Sequence, residues 1–156
     1  EVMQRIDKGG TRAEVIETGR RLREAGITHS VMVLLGIGGV DLSETHARET
    51  ASMLTALDPR YVGALTTTLV PGTPLHSAAQ AGTFTLPSPF AMLQELRTIL
   101  AKSDLTRARF SCNHASNYLP MRMDLPGDRD AALHALDRVI AQGDPHALKP
   151  EFLRGL

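Results

Sequence analysis

The chain has 156 residues, of which 42% are hydrophobic and 22% charged, and its 17 basic and 17 acidic side chains cancel to a formal net charge of zero. That length holds one domain with a real core but not a closed eight-stranded α/β barrel, which needs about 250 residues. No run approaches the roughly 20 apolar residues of a membrane span. The basic residues are interspersed with acidic ones, so an electrostatic nucleic-acid surface is not expected.

Cys112 is the single cysteine, which excludes an internal disulfide framework and a multi-cysteine metal site. A reducing, cytoplasmic setting is the expectation. The opening EVMQRIDKGG has neither an initiator methionine nor a signal-peptide pattern, and reads as a piece of something longer.

In chain order, Thr11 and Glu14 form a T-x-x-E capping box, followed by Val15, Ile16, Gly19 and Leu22 at helical spacing and by Gly26 as the stop. SVMVLLGI is a nearly continuous apolar run, expected as a strand buried on both faces of a parallel sheet. Asp41 and Glu44 suggest a second capping box, opening a helix with Ala47, Ala51 and Leu54 on one face and an end near Asp58-Pro59. Tyr61 to Val70 reads as the next strand, closed by the turn residues PGTP, with a long loop to about Pro87. Ser88 and Pro89 start a helix with Met92, Leu93, Leu96, Ile99 and Leu100 inside.

Ala108, Phe110 and Cys112 alternate as a third strand, SNYLPMRMDLPGD reads as irregular, and a last helix runs from about Asp128 to Gln142 with Gly143 as terminator. The order α-β-α-β-α-β-α implies a parallel sheet. Three strands with exposed edges, and a first helix with no strand before it, suggest an α/β fold that is part of a larger (βα) barrel.

GIGGVD lacks the third glycine of a dinucleotide fingerprint, because Asp41 stands there, and no lysine is near to make a P-loop. Two readings stay open: bare backbone that lets a ligand approach, or a tight βα turn that binds nothing. Three successive strands nonetheless end in ligand-type features, the glycine turn, PGTP and SCNHASNYLP, on what would be the active-site rim of a barrel. His114 is a candidate acid or base, or else a loop histidine bonded to backbone. His46, near Glu49 and Thr50, is expected on a solvated face. Cys112 is expected as a small core residue, and no ligand spacing suggests a metal site.

Several motifs in order carry a resemblance. IDKGGT before a helix, REAGI before a strand, LLGIGG followed by SETHARET, DPRYVGALTTTLVPGTPL, and NHASNYLP with DLPGDRD together resemble the second half of radical S-adenosylmethionine (radical SAM) proteins, over about Ile6 to Ile140. The resemblance implies the second half of a partial (β/α)6 TIM barrel over residues 1–125, with residues 126–156 as a C-terminal helix and tail. It implies a [4Fe-4S] cluster on a CxxxCxxC loop, and S-adenosylmethionine cleaved to a 5′-deoxyadenosyl radical, the protein chiefly orienting its cofactors.

By motif position, Leu34, Gly36, Ile37, Gly38, Thr68, Leu69 and Val70 would hold the adenine side, and His114, Asn117 and Tyr118 would contact a small-molecule substrate. In the family's GxIxGxxE pattern Met32, Leu34 and Gly36 occupy the first three defined positions and Gly39 replaces the acid; relatives with GFPGE place it where Val40 stands. CxxxCxxC is absent. The expected partner is therefore the missing N-terminal half of the barrel, with no nucleic acid and no membrane, and the chain alone is expected to be inactive. The other functional class is a non-catalytic α/β binding or scaffold module acting with a partner.

Overall fold

A computed structural model describes residues 1–155; Leu156, the last residue of the expected tail, lies outside them. The short helix α1 (Val2–Arg5) precedes α2 (Arg12–Glu24). The α2 capping box forms as the sequence suggests: the Glu14 amide donates to the Thr11 hydroxyl at 3.3 Å, and the Thr11 amide to the Glu14 carboxylate at 2.7 Å. Then come β1 (Ser30–Leu35), α3 (Gly39–Leu57), β2 (Tyr61–Thr66), α4 (Pro74–Gln80), α5 (Pro89–Lys102), β3 (Ala108–Ser111), β4 (Arg122–Leu125) and α6 (Arg129–Gln142). Two 3-10 turns, Pro145–Ala147 and Glu151–Leu153, follow.

The strands form one open sheet in the order β1-β2-β3-β4. β1, β2 and β3 run parallel, and β4 is antiparallel to β3, with Ala108 opposite Leu125 and Ser111 opposite Arg122. The sheet is therefore mixed rather than all parallel, and the segment expected to be irregular supplies its fourth strand. Four residues bracketed by Pro120 and Pro126 are too short to show a periodicity. It is pairing to the free edge of β3 that makes them a strand.

α4 was expected as loop. Its signal was a helix start, since the Thr73 hydroxyl caps the His76 amide at 3.3 Å and Pro74 takes the first position, but α4 buries no residue and so shows no apolar stripe. α3 begins at Gly39 rather than on an Asp41 cap, and β2 ends at Thr66.

One face of the sheet carries the core. Val33, Leu35, Val62, Ala64, Ala108, Phe110, Met123 and Leu125 pack there against Ala47 and Leu54 of α3, Leu96 and Leu100 of α5, and Leu136 of α6. Full burial of each large side chain contributes about 1.5–3 kcal/mol. The opposite face was expected to be buried as well, and on β1 it is not: Met32 is 62% and Leu34 39% exposed. The continuous apolar run thus belongs to a strand with helices on one side only. Met32 lies across Gly63, its register partner on β2, where an added Cβ would come within 2.6 Å of the Met32 sulfur. Among the described residues no helix is long and apolar enough to cross a membrane.

Candidate functional site

The glycine turn after β1 needs its glycines for two reasons. Gly36 (φ +81°) and Gly39 (φ +69°) take left-handed backbone that a side chain strains. The space a side chain would occupy is also filled from within: a Cβ on Gly36 would lie 3.0 Å from the Met92 methyl, and one on Gly39 3.1 Å from the Phe84 ring.

A buried carboxylate holds the turn in place. Glu95 is 2% exposed, accepts the Gly36 amide at 2.8 Å and the Ser43 hydroxyl at 3.4 Å, and bonds His46 Nδ1 through its other oxygen. Asp41, expected to cap α3, instead meets the Arg5 guanidinium with both oxygens, at 2.8 and 3.1 Å, and the same guanidinium donates to the Gly38 carbonyl at 3.0 Å. His46, expected on a solvated face, has a side chain only 12% exposed because Glu95 lies opposite it. Gly36→Ala is expected to lower the unfolding free energy by about 1–2 kcal/mol, the cost of a Cβ in left-handed backbone, and urea denaturation would measure it.

The second and third strand ends meet around Asn117. Its amide donates to the Ala64 carbonyl at 2.8 Å and its oxygen accepts the Thr66 hydroxyl at 3.0 Å, at 2% exposure. Ser116 accepts the Thr66 amide at 3.2 Å and sits 3.0 Å from His114 Nδ1. Because the Ser116 amide donates to that same nitrogen at 3.2 Å, Nδ1 acts as an acceptor and a neutral ring carries its proton on Nε2. His114 thus has the backbone-bonded geometry that was one of its two readings.

Tyr118 is 8% exposed. Its hydroxyl donates to Glu151 at 2.8 Å and accepts from Arg154 at 2.5 Å. Burial first, and the Glu151 bond second, push its phenol up to about 12. Beyond β2, Thr67 donates its amide to the Leu35 carbonyl at 2.9 Å. Among the described residues the amides of Thr68, Leu69 and Val70 make no hydrogen bond, so the chain there presents open main-chain donors. The site candidates therefore divide. Thr68, Leu69 and Val70 lie half-buried with free amides, although the Val70 carbonyl accepts from Thr73, and Leu34 projects from the open face, whereas Gly36, Gly38, Ile37 and Asn117 are engaged in packing.

Glu95 and Arg154 are heavily bonded among the participants not singled out from sequence. Glu95 had a signal, a charge at helical spacing among Met92, Leu96 and Ile99, that is, on the buried stripe of α5. Arg154 had none, since only folding brings it 86 residues back to Thr68.

Cys112 behaves as a core residue, 1% exposed, with its thiol directed at the Leu119 and Met121 carbonyls and pushed up to about 11 by burial. Among the described residues no three His, Cys, Asp or Glu side chains gather to hold a metal.

Fold and site together define an α/β protein with a mostly parallel, four-stranded open sheet covered by helices on one face. Comparison with family models, with curated proteins and with solved structures returned no match.

Proposed function

We propose that residues 1–125 are the second half of a radical SAM partial barrel, with residues 126–156 as an appended helix and tail, and that the chain supplies the adenine side of the S-adenosylmethionine site. The observation that carries this reading is the one-sided sheet. A doubly wound sheet buries both faces under helices, whereas a barrel segment carries helices outside and turns its other face to a shared interior. Here Met32 and Leu34 face outward from the helix layer at 62% and 39% exposure. The edge of β1 away from β2 has no strand on it among the described residues, and a groove of about 540 Å3 runs along it, lined by Met32, Leu34, Ile37, Met3 and Val15. A preceding barrel strand would pair along that edge.

The residues fit the two cofactors unequally. The free amides of Thr68, Leu69 and Val70 and the apolar face of Leu34 suit the edge and face of a purine. The chain does not fit the cluster: its one thiol is buried and held protonated by that burial, and thiolates for iron would come from elsewhere in the polypeptide. In radical SAM chemistry S-adenosylmethionine is the source of a hydrogen-abstracting radical; this chain's part is to bind and orient its adenine end, next to a small-molecule substrate.

The second reading, a non-catalytic binding or scaffold module, draws on the loop after β3. The polar ends of Asn117 and Tyr118 and Nδ1 of His114 bond within the protein rather than facing an open cleft.

The two readings part at the coding sequence upstream of Glu1. A CxxxCxxC about 100–200 residues earlier, an ordinary domain length, is expected, and a start codon immediately before Glu1 would sink the enzyme reading. Iron and sulfide reconstitution of the longer protein should then give absorbance near ~400 nm from thiolate-held iron; a colourless product counts against it.

A further inference from the structure

The loop between β3 and β4, residues 112–121, has no helix of its own, yet Ser116, Asn117 and Tyr118 within it are buried. Asn117 is fixed from the strand side by Ala64 and Thr66. From the other side it is the C-terminal segment, more than 25 residues further on, that closes over the loop. The Lys149 amide donates to the Tyr118 carbonyl at 2.8 Å, and its ammonium to the Ala115 carbonyl at 3.1 Å.

Arg154 then enters with a side chain only 4% exposed. Its Nε donates to the Ser116 carbonyl at 2.7 Å, Nη1 to the Tyr118 hydroxyl and to Glu151, and Nη2 to the Thr68 hydroxyl at 3.3 Å. The guanidinium carbon stands 4.0 Å over the Tyr118 ring. One rigid planar fork thus joins the end of β2, the loop after β3 and the tail itself, which a flexible point charge cannot do.

We infer that the segment Leu148–Gly155 is a strap over the strand-end rim, and that Arg154 is the positioning residue that sets Ser116 and Tyr118 against Thr68. Leu148, 7% exposed, anchors the start of the strap in the core, but beyond it Phe152 and Leu153 are 84% and 61% exposed, so the part from Lys149 onward is held by polar contacts to the rim and is a docked but releasable element. Segments of that kind open locally while the core stays folded. When the strap lifts, Thr68 loses its Arg154 partner and Tyr118 loses both hydrogen bonds of its hydroxyl. The geometry of this part of the rim is therefore set by strap docking. The inference does not rest on the radical SAM reading, because it concerns only groups of this chain.

The test is amide hydrogen exchange on the whole chain, comparing wild type with Arg154→Ala and Arg154→Lys. Arg154→Ala is expected to speed exchange in peptides covering residues 114–119 by about tenfold or more, the factor expected from losing one hydrogen bond to a charged group, with α5 unchanged. Arg154→Lys keeps the charge without the fork and should behave similarly. Unchanged exchange at 114–119, an equal rise in α5, or full restoration by lysine would each overturn the inference.

A second readout separates a lifted strap from a merely discharged one. In a Tyr61→Phe background the absorbance of tyrosinate reports Tyr118 alone. If Arg154→Ala releases the strap, burial and the Glu151 bond are lost together and the phenol falls from about 12 towards its ordinary value. If the strap stays docked and only the cation is lost, the phenol moves higher still, and the inference fails.

Discussion

Glu95→Ala is expected to lower the unfolding free energy by about 3 kcal/mol, the range for removing one member of a buried, hydrogen-bonded polar cluster. Three groups lose their acceptor at once: the Gly36 amide, the Ser43 hydroxyl and His46 Nδ1. Water cannot readily replace the carboxylate, since Glu95 is 2% exposed and flanked by Met92, Leu96 and Ile99 on the same helix. The desolvation cost of the stranded amide and imidazole therefore adds to the lost bonds.

Glu95→Gln is the informative companion. It keeps one acceptor oxygen for Gly36 and so should lose only about half as much, roughly 1–2 kcal/mol for one weakened charge-assisted bond. Urea denaturation at constant slope reads both. An alanine variant within about 0.5 kcal/mol of wild type, the scale of an uneventful surface change, would mean that Glu95 does not hold the turn. The consequence reaches the site, because Glu95 is what orients Gly36 at the end of β1.

Asn117→Ala should cost about 2–3 kcal/mol, the sum of two buried hydrogen bonds lost with their partners left behind. The Ala64 carbonyl lies inside β2, and the Thr66 hydroxyl ends that strand, both without access to solvent. Asn117→Asp tests the mechanism as well as the size. It keeps the oxygen facing Thr66 but turns an amide donor into a carboxylate against the Ala64 carbonyl, and so should destabilise more than alanine. If instead alanine folded with unchanged stability, the lock of Asn117 on β2 would be incidental.

Several elements were legible because their signals are local. The Thr11–Glu14 box, the Ser88-Pro89 start of α5 and the Gly143 stop of α6 involve residues within one turn of each other, and each forms as expected. The apolar stripe of α5 was readable for the same reason. The Asp41–Glu44 box had an equally good local pattern and did not form, since Arg5, 36 residues away, offers Asp41 a bidentate partner. β4 had almost no local pattern and forms all the same, because an unpaired edge of β3 was available to it.

By itself, then, the sequence determined the helices α2, α3, α5 and α6 and the three parallel strands between them, the inward sets of α5 and β3, and the positions where glycine must relieve the backbone. Each of these depends on periodicity or on dihedral preference over a few residues. Only the tertiary structure decided that the apolar run of β1 is covered on one face, that a buried carboxylate on α5 holds the glycine turn, and that Arg154 closes on Thr68. Those depend on which distant groups find each other in a dry interior, where one hydrogen-bond partner outweighs any local propensity.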